Sequence, residues 1–429
     1  MRVAFFTLGC KVNQYETEAM REGFVKMGHT AVSEDSPFDV IVINSCTVTA
    51  ESDRKTRQVL NRFRRENPNA VIVLTGCMVQ AFSEEAAKLT GADIVVGNRD
   101  IKRILELTEE FLAKRNRLIE VTPHTQRDLF NTPGISDFAE RTRAYMKIED
   151  GCDRYCTYCI IPTARGFVRS RPLEDIRLEA EALANKGFVE IVLVGINLSA
   201  YGKGGETNLC DAVEAVCSVE GIKRVRLGSL EPDHISDQML MRFKAQEKFC
   251  PQFHLSLQSG CDKTLKRMNR HYDTAFYTDL VNRIRAMFPD ASLTTDIMVG
   301  FAGETEEDFI ESVDYLEKTG FAKSHVFAYS RRKGTFAYNL PDQVTKAEKS
   351  RRSRIMTEAA TQSETAFLTN QVGKTVDVLF ETDENGCCWG YTPNYSRVFV
   401  RSGASLGGKI KKVKLISVQG DYCEGELAE

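Results

Sequence analysis

Cys152, Cys156 and Cys159 stand in the run Asp150-Gly151-Cys152-Asp153-Arg154-Tyr155-Cys156-Thr157-Tyr158-Cys159, a C-x3-C-x2-C spacing with an aromatic just before the last cysteine. Three thiolates this close can hold one iron–sulfur cube by three of its four irons. A cluster held wholly by protein normally takes four cysteines, so three leave one iron open, and an open coordination position separates a reactive metal site from a structural one. The competing reading is zinc. Structural zinc takes four closed ligands, and the nearest further candidates, His124 upstream and Cys210 downstream, are not close by in the sequence. The spacing therefore favours a cluster.

This loop resembles that of the radical S-adenosylmethionine (SAM) superfamily. The resemblance implies that the open iron chelates the amino and carboxylate groups of SAM, that SAM is cleaved reductively to a 5′-deoxyadenosyl radical, and that Tyr158 lies beside the adenine.

A second cysteine set is dispersed. Strand-like apolar runs at Val3–Leu8, Val40–Asn44, Ala70–Leu74 and Ile94–Val96 alternate with amphipathic stretches such as Asn13–Met27 and Asp53–Glu66, a pattern that argues a parallel sheet. Cys10 follows the first strand, Cys46 the second and Cys77 the third. All carboxyl ends of a parallel sheet lie on one edge, where α/β folds bind ligands, so these cysteines are expected to converge on a second three-cysteine cluster. Any one of them alone would read as a small buried hydrophobe.

The segments Thr7-Leu8-Gly9-Cys10-Lys11-Val12-Asn13-Gln14-Tyr15-Glu16, Asn44-Ser45-Cys46-Thr47-Val48 and Thr75-Gly76-Cys77 resemble the N-terminal domain of the methylthiotransferases. These insert sulfur and then a methyl group at an unreactive C–H position of a tRNA adenosine or of a ribosomal-protein aspartate. The run Gly9–Glu16 looks most like the branch acting on N6-threonylcarbamoyladenosine next to the anticodon. Branches acting on isopentenyladenosine or on the ribosomal protein usually open differently after the cysteine.

The elements that position this chemistry fall into three blocks. Residues 1–113 form the parallel α/β sheet domain. After a linker of mixed polarity, residues 138–368 carry six strand-like runs with intervening helices, at Ala144–Glu149, Glu190–Val194, Arg224–Leu227, His254–Leu257, Leu293–Val299 and Lys323–Ala328. They predict a partial (β/α)6 barrel with its chemistry at the strands' carboxyl ends. Here the resemblance implies that Asn197, Glu231, Gln258 and Asp296 border the SAM pocket, although proline is common in the family where this chain has Ala302, Arg331 and Lys333. Residues 371–429 change to short strands punctuated by Gly, Asn and Asp, a small β-barrel resembling the TRAM module, an RNA-binding fold.

Trp389, Tyr391 and Tyr395 beside Arg397 offer stacking and charge for RNA, with Tyr391–Tyr395 expected to be the most exposed stretch. Arg165, Arg169 and Arg171, just after the cysteine loop, are expected to bind phosphate through bidentate pairs. Further basic runs lie at 54–65 and 331–354. Net charge is −3, so nucleic-acid contact must come from such local patches.

Hydrophobic content of 42% supports several ordinary cores, and no apolar run reaches the ~20 residues of a membrane helix. The opening residues are too quickly polar for a signal peptide, which predicts a cytoplasmic protein whose thirteen cysteines are ligands or core residues rather than disulfides. The expectation is a radical SAM tRNA methylthiotransferase with two [4Fe-4S] clusters and SAM. The family implies a low-potential electron donor of flavodoxin or ferredoxin type and an unidentified sulfur donor. A metal-containing RNA-binding protein without catalysis would explain the basic runs and the terminal barrel, but not the three-cysteine loop at a barrel strand end.

Overall fold

The computed structural model describes residues 1–138, 142–384 and 386–428. The N-terminal sheet contains β1 (Arg2–Thr7), β2 (Thr30–Val32), β3 (Val40–Ser45), β4 (Val71–Gly76), β5 (Ile94–Val96) and β6 (Leu118–Glu120), in the order β2-β1-β3-β4-β5-β6 and all parallel. β3 shows why: Val40 and Val42 enter one apolar cluster, Ile41 and Ile43 another on the opposite face. A strand buried on both faces is characteristic of a parallel sheet covered by helices. The helices that matter here are α1 (Lys11–Lys26), α2 (Ala50–Glu66) and α3 (Cys77–Ala81). β2 and β6 are short and only partly buried, and their weak apolar signal did not predict them.

The central domain is an open barrel. Its wall runs β7 (Arg143–Lys147), β10 (Glu190–Val194), β11 (Arg224–Leu227) with its continuation β12 (Ser229–Leu230), β13 (Gln252–Leu255), β14 (Ser292–Val299) and β15 (Lys323–Ala328). All neighbouring pairs are parallel. A two-residue antiparallel pair, β8 (Glu149–Asp150) with β9 (Arg169–Ser170), sits beside the cysteine loop. Alternation along β14 sends Leu293, Ile297 and Val299 to the helical layer and Ser292, Thr294 and Asp296 to the lumen. The six expected wall strands are present, so the fold is α/β with a partial barrel.

The helix Lys346–Thr369 leads into a closed five-stranded barrel of β16 (Thr375–Glu384), β17 (Cys387–Tyr391), β18 (Arg397–Arg401), β19 (Ile410–Gln419) and β20 (Tyr422–Leu427). Among the described residues no helix is long and apolar enough to cross a membrane.

Candidate functional site

β1, β3 and β4 are neighbours in the sheet, and the turn leaving each carries one cysteine. Cys10 is the N-cap of α1, Cys46 follows β3, and Cys77 is the first residue of α3. Gly76, at φ 98°, makes the turn from β4 possible, because a Cβ there would lie 2.4 Å from the Ser45 carbonyl oxygen. The three thiols share one space. Burial pushes Cys77 up to about 12; Arg165 opposes that, and the neighbouring Cys46 and Cys10 add to it. Arg165 Nε donates to Cys77 Sγ at 3.1 Å, and Asn13 Oδ1 accepts from Cys10 Sγ at 3.3 Å.

The second trio lies between β8 and the helix Ile161–Arg165. Gly151, at φ 90°, is required there, since a Cβ would lie 2.0 Å from the Phe167 carbonyl oxygen. The Cys152 amide donates to the Gly166 carbonyl at 3.0 Å and the Cys159 amide to the Cys156 carbonyl at 2.9 Å. From the far wall, Arg270 Nη1 donates to Cys156 Sγ at 3.2 Å while pairing with Glu231. Burial pushes Cys159 up to about 12.

The chemistry of this donor set fits iron–sulfur clusters better than single ions. Tetrahedral zinc with Zn–S near 2.3 Å needs its sulfurs roughly 4 Å apart. Neither trio brings its three sulfurs within 4.8 Å of one another; among the described residues the triads that tight are His254–Asp296–His325 and Cys261–Asp308–Glu311. Buried thiols pushed up in this way ionise only with strong cationic help, which a metal body supplies.

Around the loop, Tyr158 is half-buried and packs edge-on against Phe301, ring centroids 6.3 Å apart. Asn197 is buried with both side-chain amide atoms lacking a partner, an unusual debt in a folded interior. Gln258 adopts φ 73°, rare for a non-glycine residue, and its backbone pairs with Asp296 and Met298. Asp296 projects into the lumen, its Oδ2 3.4 Å from His254 Nε2. A cavity of about 740 Å³ joins the lumen to the sheet edge, lined by Cys10, Lys11, Gly195, Ser229, His254, Asp296, His325 and Tyr395 among others. This volume suits a modified nucleobase.

Several residues expected to meet RNA are elsewhere. Arg165, Arg169 and Arg171 are buried, and their donors are taken up by carboxylates, carbonyls and other groups of the protein itself. Arg165 pairs with Glu16 of α1, Arg169 lies 3.1 Å from Asp150, and Arg171 lies 2.6 Å from Glu179. Lys147 completes the network, 2.7 Å from both Glu16 and Asp150. These side chains join the sheet domain to the barrel, so none is available to phosphate. Arg332, from the third basic run, is likewise buried, donating to Thr47 at 2.7 Å and Asp53 at 2.6 Å.

Tyr391 and Tyr395 are also corrected. They stack on one another with centroids 4.7 Å apart, against the guanidinium groups of Arg143 and Arg226. Thr392 and Asn394 between them are buried, so this stretch packs against the amino-terminal end of the barrel. Arg224 donates to the carbonyls of Tyr391 and Asp377, and Arg226 to that of Pro393, each at 2.9 Å. Trp389 lies half-buried on the outer face of the terminal barrel, packed on Phe399 and Tyr422, and Arg397 stands at the cavity's rim with its guanidinium 4.0 Å from the indole centroid.

Residues 2–97 match the uncharacterized protein family UPF0004, residues 146–316 the Radical SAM superfamily and residues 370–428 the TRAM domain. Among solved structures, the radical S-adenosylmethionine methyltransferase TsrM from Kitasatospora setae, with cobalamin and a [4Fe-4S] cluster bound, shares the fold. It has TM-score 0.57 and 13% identity, over 77% of this chain and 75% of that one. Fold and cysteine loop together define a radical SAM enzyme. The threonylcarbamoyladenosine tRNA methylthiotransferase MtaB of Bacillus subtilis (strain 168) is 37% identical over 99% of this chain and 96% of its own length. The MtaB of Aquifex aeolicus (strain VF5) is 37% identical over 96% of this chain and 100% of its own. A tRNA-2-methylthio-N(6)-dimethylallyladenosine synthase of Thermoanaerobacter sp. (strain X514) is 34% identical over 99% and 92%. The chain belongs to the MtaB-type radical SAM methylthiotransferases.

Proposed function

We propose that this enzyme converts N6-threonylcarbamoyladenosine, 3′ of the anticodon in tRNA, to its 2-methylthio derivative. The observation that carries the reading is a single cavity reached by Cys10 of one cysteine trio and by the barrel strand ends beside the other. Cys152, Cys156 and Cys159 would hold one [4Fe-4S] cluster and Cys10, Cys46 and Cys77 the second. When bound, these clusters and SAM supply the radical, the sulfur and the methyl group. Tyr158 flanks the SAM adenine, while Asn197, Glu231, Gln258 and Asp296 border the same pocket; the unpartnered amide of Asn197 is the strongest support for this. Arg165 and Arg270 hold the sulfurs of Cys77 and Cys156 in place by donating hydrogen bonds to them.

Trp389 with Arg397 forms an outward stacking platform for RNA. A low-potential donor of flavodoxin or ferredoxin type in the cytoplasm fits a reductive cleavage, and the sulfur comes from a separate donor. The test is anaerobic reconstitution followed by nucleoside mass spectrometry of tRNA. About eight irons per chain, reductant-dependent 5′-deoxyadenosine and the methylthio-threonylcarbamoyl nucleoside are expected. A methylthio product found only on dimethylallyladenosine would sink the substrate assignment.

A further inference from the structure

Lys11 follows the cluster ligand Cys10 and opens α1, where the next residues Val12 and Asn13 are buried. Its side chain lines the cavity shared by Cys10, His254, Asp296, His325 and Tyr395. Among the described residues it has no ion-pair or hydrogen-bond partner. Its ammonium lies 5.9 Å from the centre of the Tyr145 ring. Other cations lining this cavity have anionic partners: Lys323 is 3.0 Å from Glu364 and Arg397 is 3.7 Å from Asp421.

The field around Lys11 is positive. Arg143, Arg224 and Arg226 surround the single carboxylate of Glu190 at 3.8, 3.6 and 2.9 Å. Arg143 has Glu381 as a second partner. Asp296, the lumen carboxylate, sits between two imidazoles, with His254 at 3.4 Å. Tyr395 reports the imbalance: burial pushes its phenol up, yet Arg143, Lys11 and Arg226 outweigh burial and hold it below its ordinary value. A half-buried ammonium amid other cations, with no counter-ion of its own, is held at a cost that an anionic ligand would relieve.

We propose that Lys11 determines substrate specificity, its ammonium pairing with the carboxylate of the threonyl group on the substrate base. This rests on the function proposed above and names the residue that reads it. C2 and the N6-bearing carbon of adenine both adjoin N1. A base whose C2 is turned toward Cys10 therefore carries its N6 substituent toward the residue next door. An isopentenyl chain brings no charge and leaves Lys11 unpaired, so it is rejected for the same reason that the amino-acid chain is accepted.

The test uses the reconstituted full chain and anticodon stem-loops carrying threonylcarbamoyladenosine as the free acid or as its primary amide. The wild type should lose roughly ten- to a hundredfold in kcat/KM on the amide, mainly through KM, the size expected for a charge-assisted hydrogen bond. Lys11→Gln should treat acid and amide alike, and Lys11→Arg should restore the preference. Lys11→Met replaces the Gln variant if the latter loses iron. Equal use of acid and amide by the wild type, or a full preference for the acid in both uncharged variants, overturns the proposal. So does a raised KM for SAM with that preference intact, which would assign Lys11 to the SAM carboxylate. A wild type active only on dimethylallyladenosine would instead show that the underlying substrate reading fails.

Discussion

The two cysteine trios are built by opposite means. Cys152, Cys156 and Cys159 occupy eight consecutive residues, and their arrangement depends on local turns such as Gly151 at φ 90° and Tyr155 at φ 49°. Cys10, Cys46 and Cys77 come together only because β1, β3 and β4 are parallel neighbours, with Phe6 opposite Ile43 and Ser45 opposite Gly76. One site is a property of a loop, the other of a topology. Arg165 couples them: it ends the helix that follows the loop trio, and it touches Cys77 of the dispersed one. A change at the barrel can therefore disturb the sheet-edge site without touching its ligands.

The sharpest break of this comparison is Cys156→Ala, which should reduce both 5′-deoxyadenosine and methylthio product to background in a coupled mass-spectrometric assay. Cys77→Ala should separate the two activities, keeping SAM cleavage and losing the product. Loss of both in a folded variant would mean that the trios are not functionally distinct. Arg165→Met should cost about 2 kcal/mol in stability, below the ~3–5 kcal/mol of a buried charge left with no partner, because Lys147 still pairs with Glu16. Thermal unfolding would show it, and iron should be lost preferentially from the sheet-edge trio. The smallest effect belongs to the surface: Trp389→Ala should weaken tRNA binding about tenfold, within the ~1–3 kcal/mol of one stacking contact, with SAM cleavage unaltered. An unchanged Kd would remove the platform from the RNA interface.

The contrast also explains what could be read from residues alone. The loop trio was legible because its cysteines share one short motif. The dispersed trio was legible because strands such as Val40–Ser45 announce themselves by unbroken apolar character, which places their ends on one edge. The arginines were not. A guanidinium written beside an active-site motif looks like a phosphate ligand, but Glu16, the partner of Arg165, lies 149 residues away. A signal did exist on the acid's side. Glu16 sits among Val12, Tyr15, Ala19 and Met20 on the buried face of α1, where an unpaired carboxylate would be intolerable. Tyr391 and Tyr395 failed similarly, since a Pro-Asn turn flanked by tyrosines reads as exposed until Arg143 and Arg226 are known to face it. Short, partly polar strands such as Thr30–Val32 carry too few apolar residues to register.

The tyrosine-bearing turn at the foot of the central barrel gives the terminal module a second duty. Cutting the chain before Thr375 would strip Arg224 and Arg226 of the carbonyls that receive them at the foot of the lumen. Two buried guanidiniums left short of acceptors would destabilise the strands that line the lumen. Inactivity in a truncated enzyme would then report a loosened barrel as much as lost grip on RNA. The module is a brace as well as a hand.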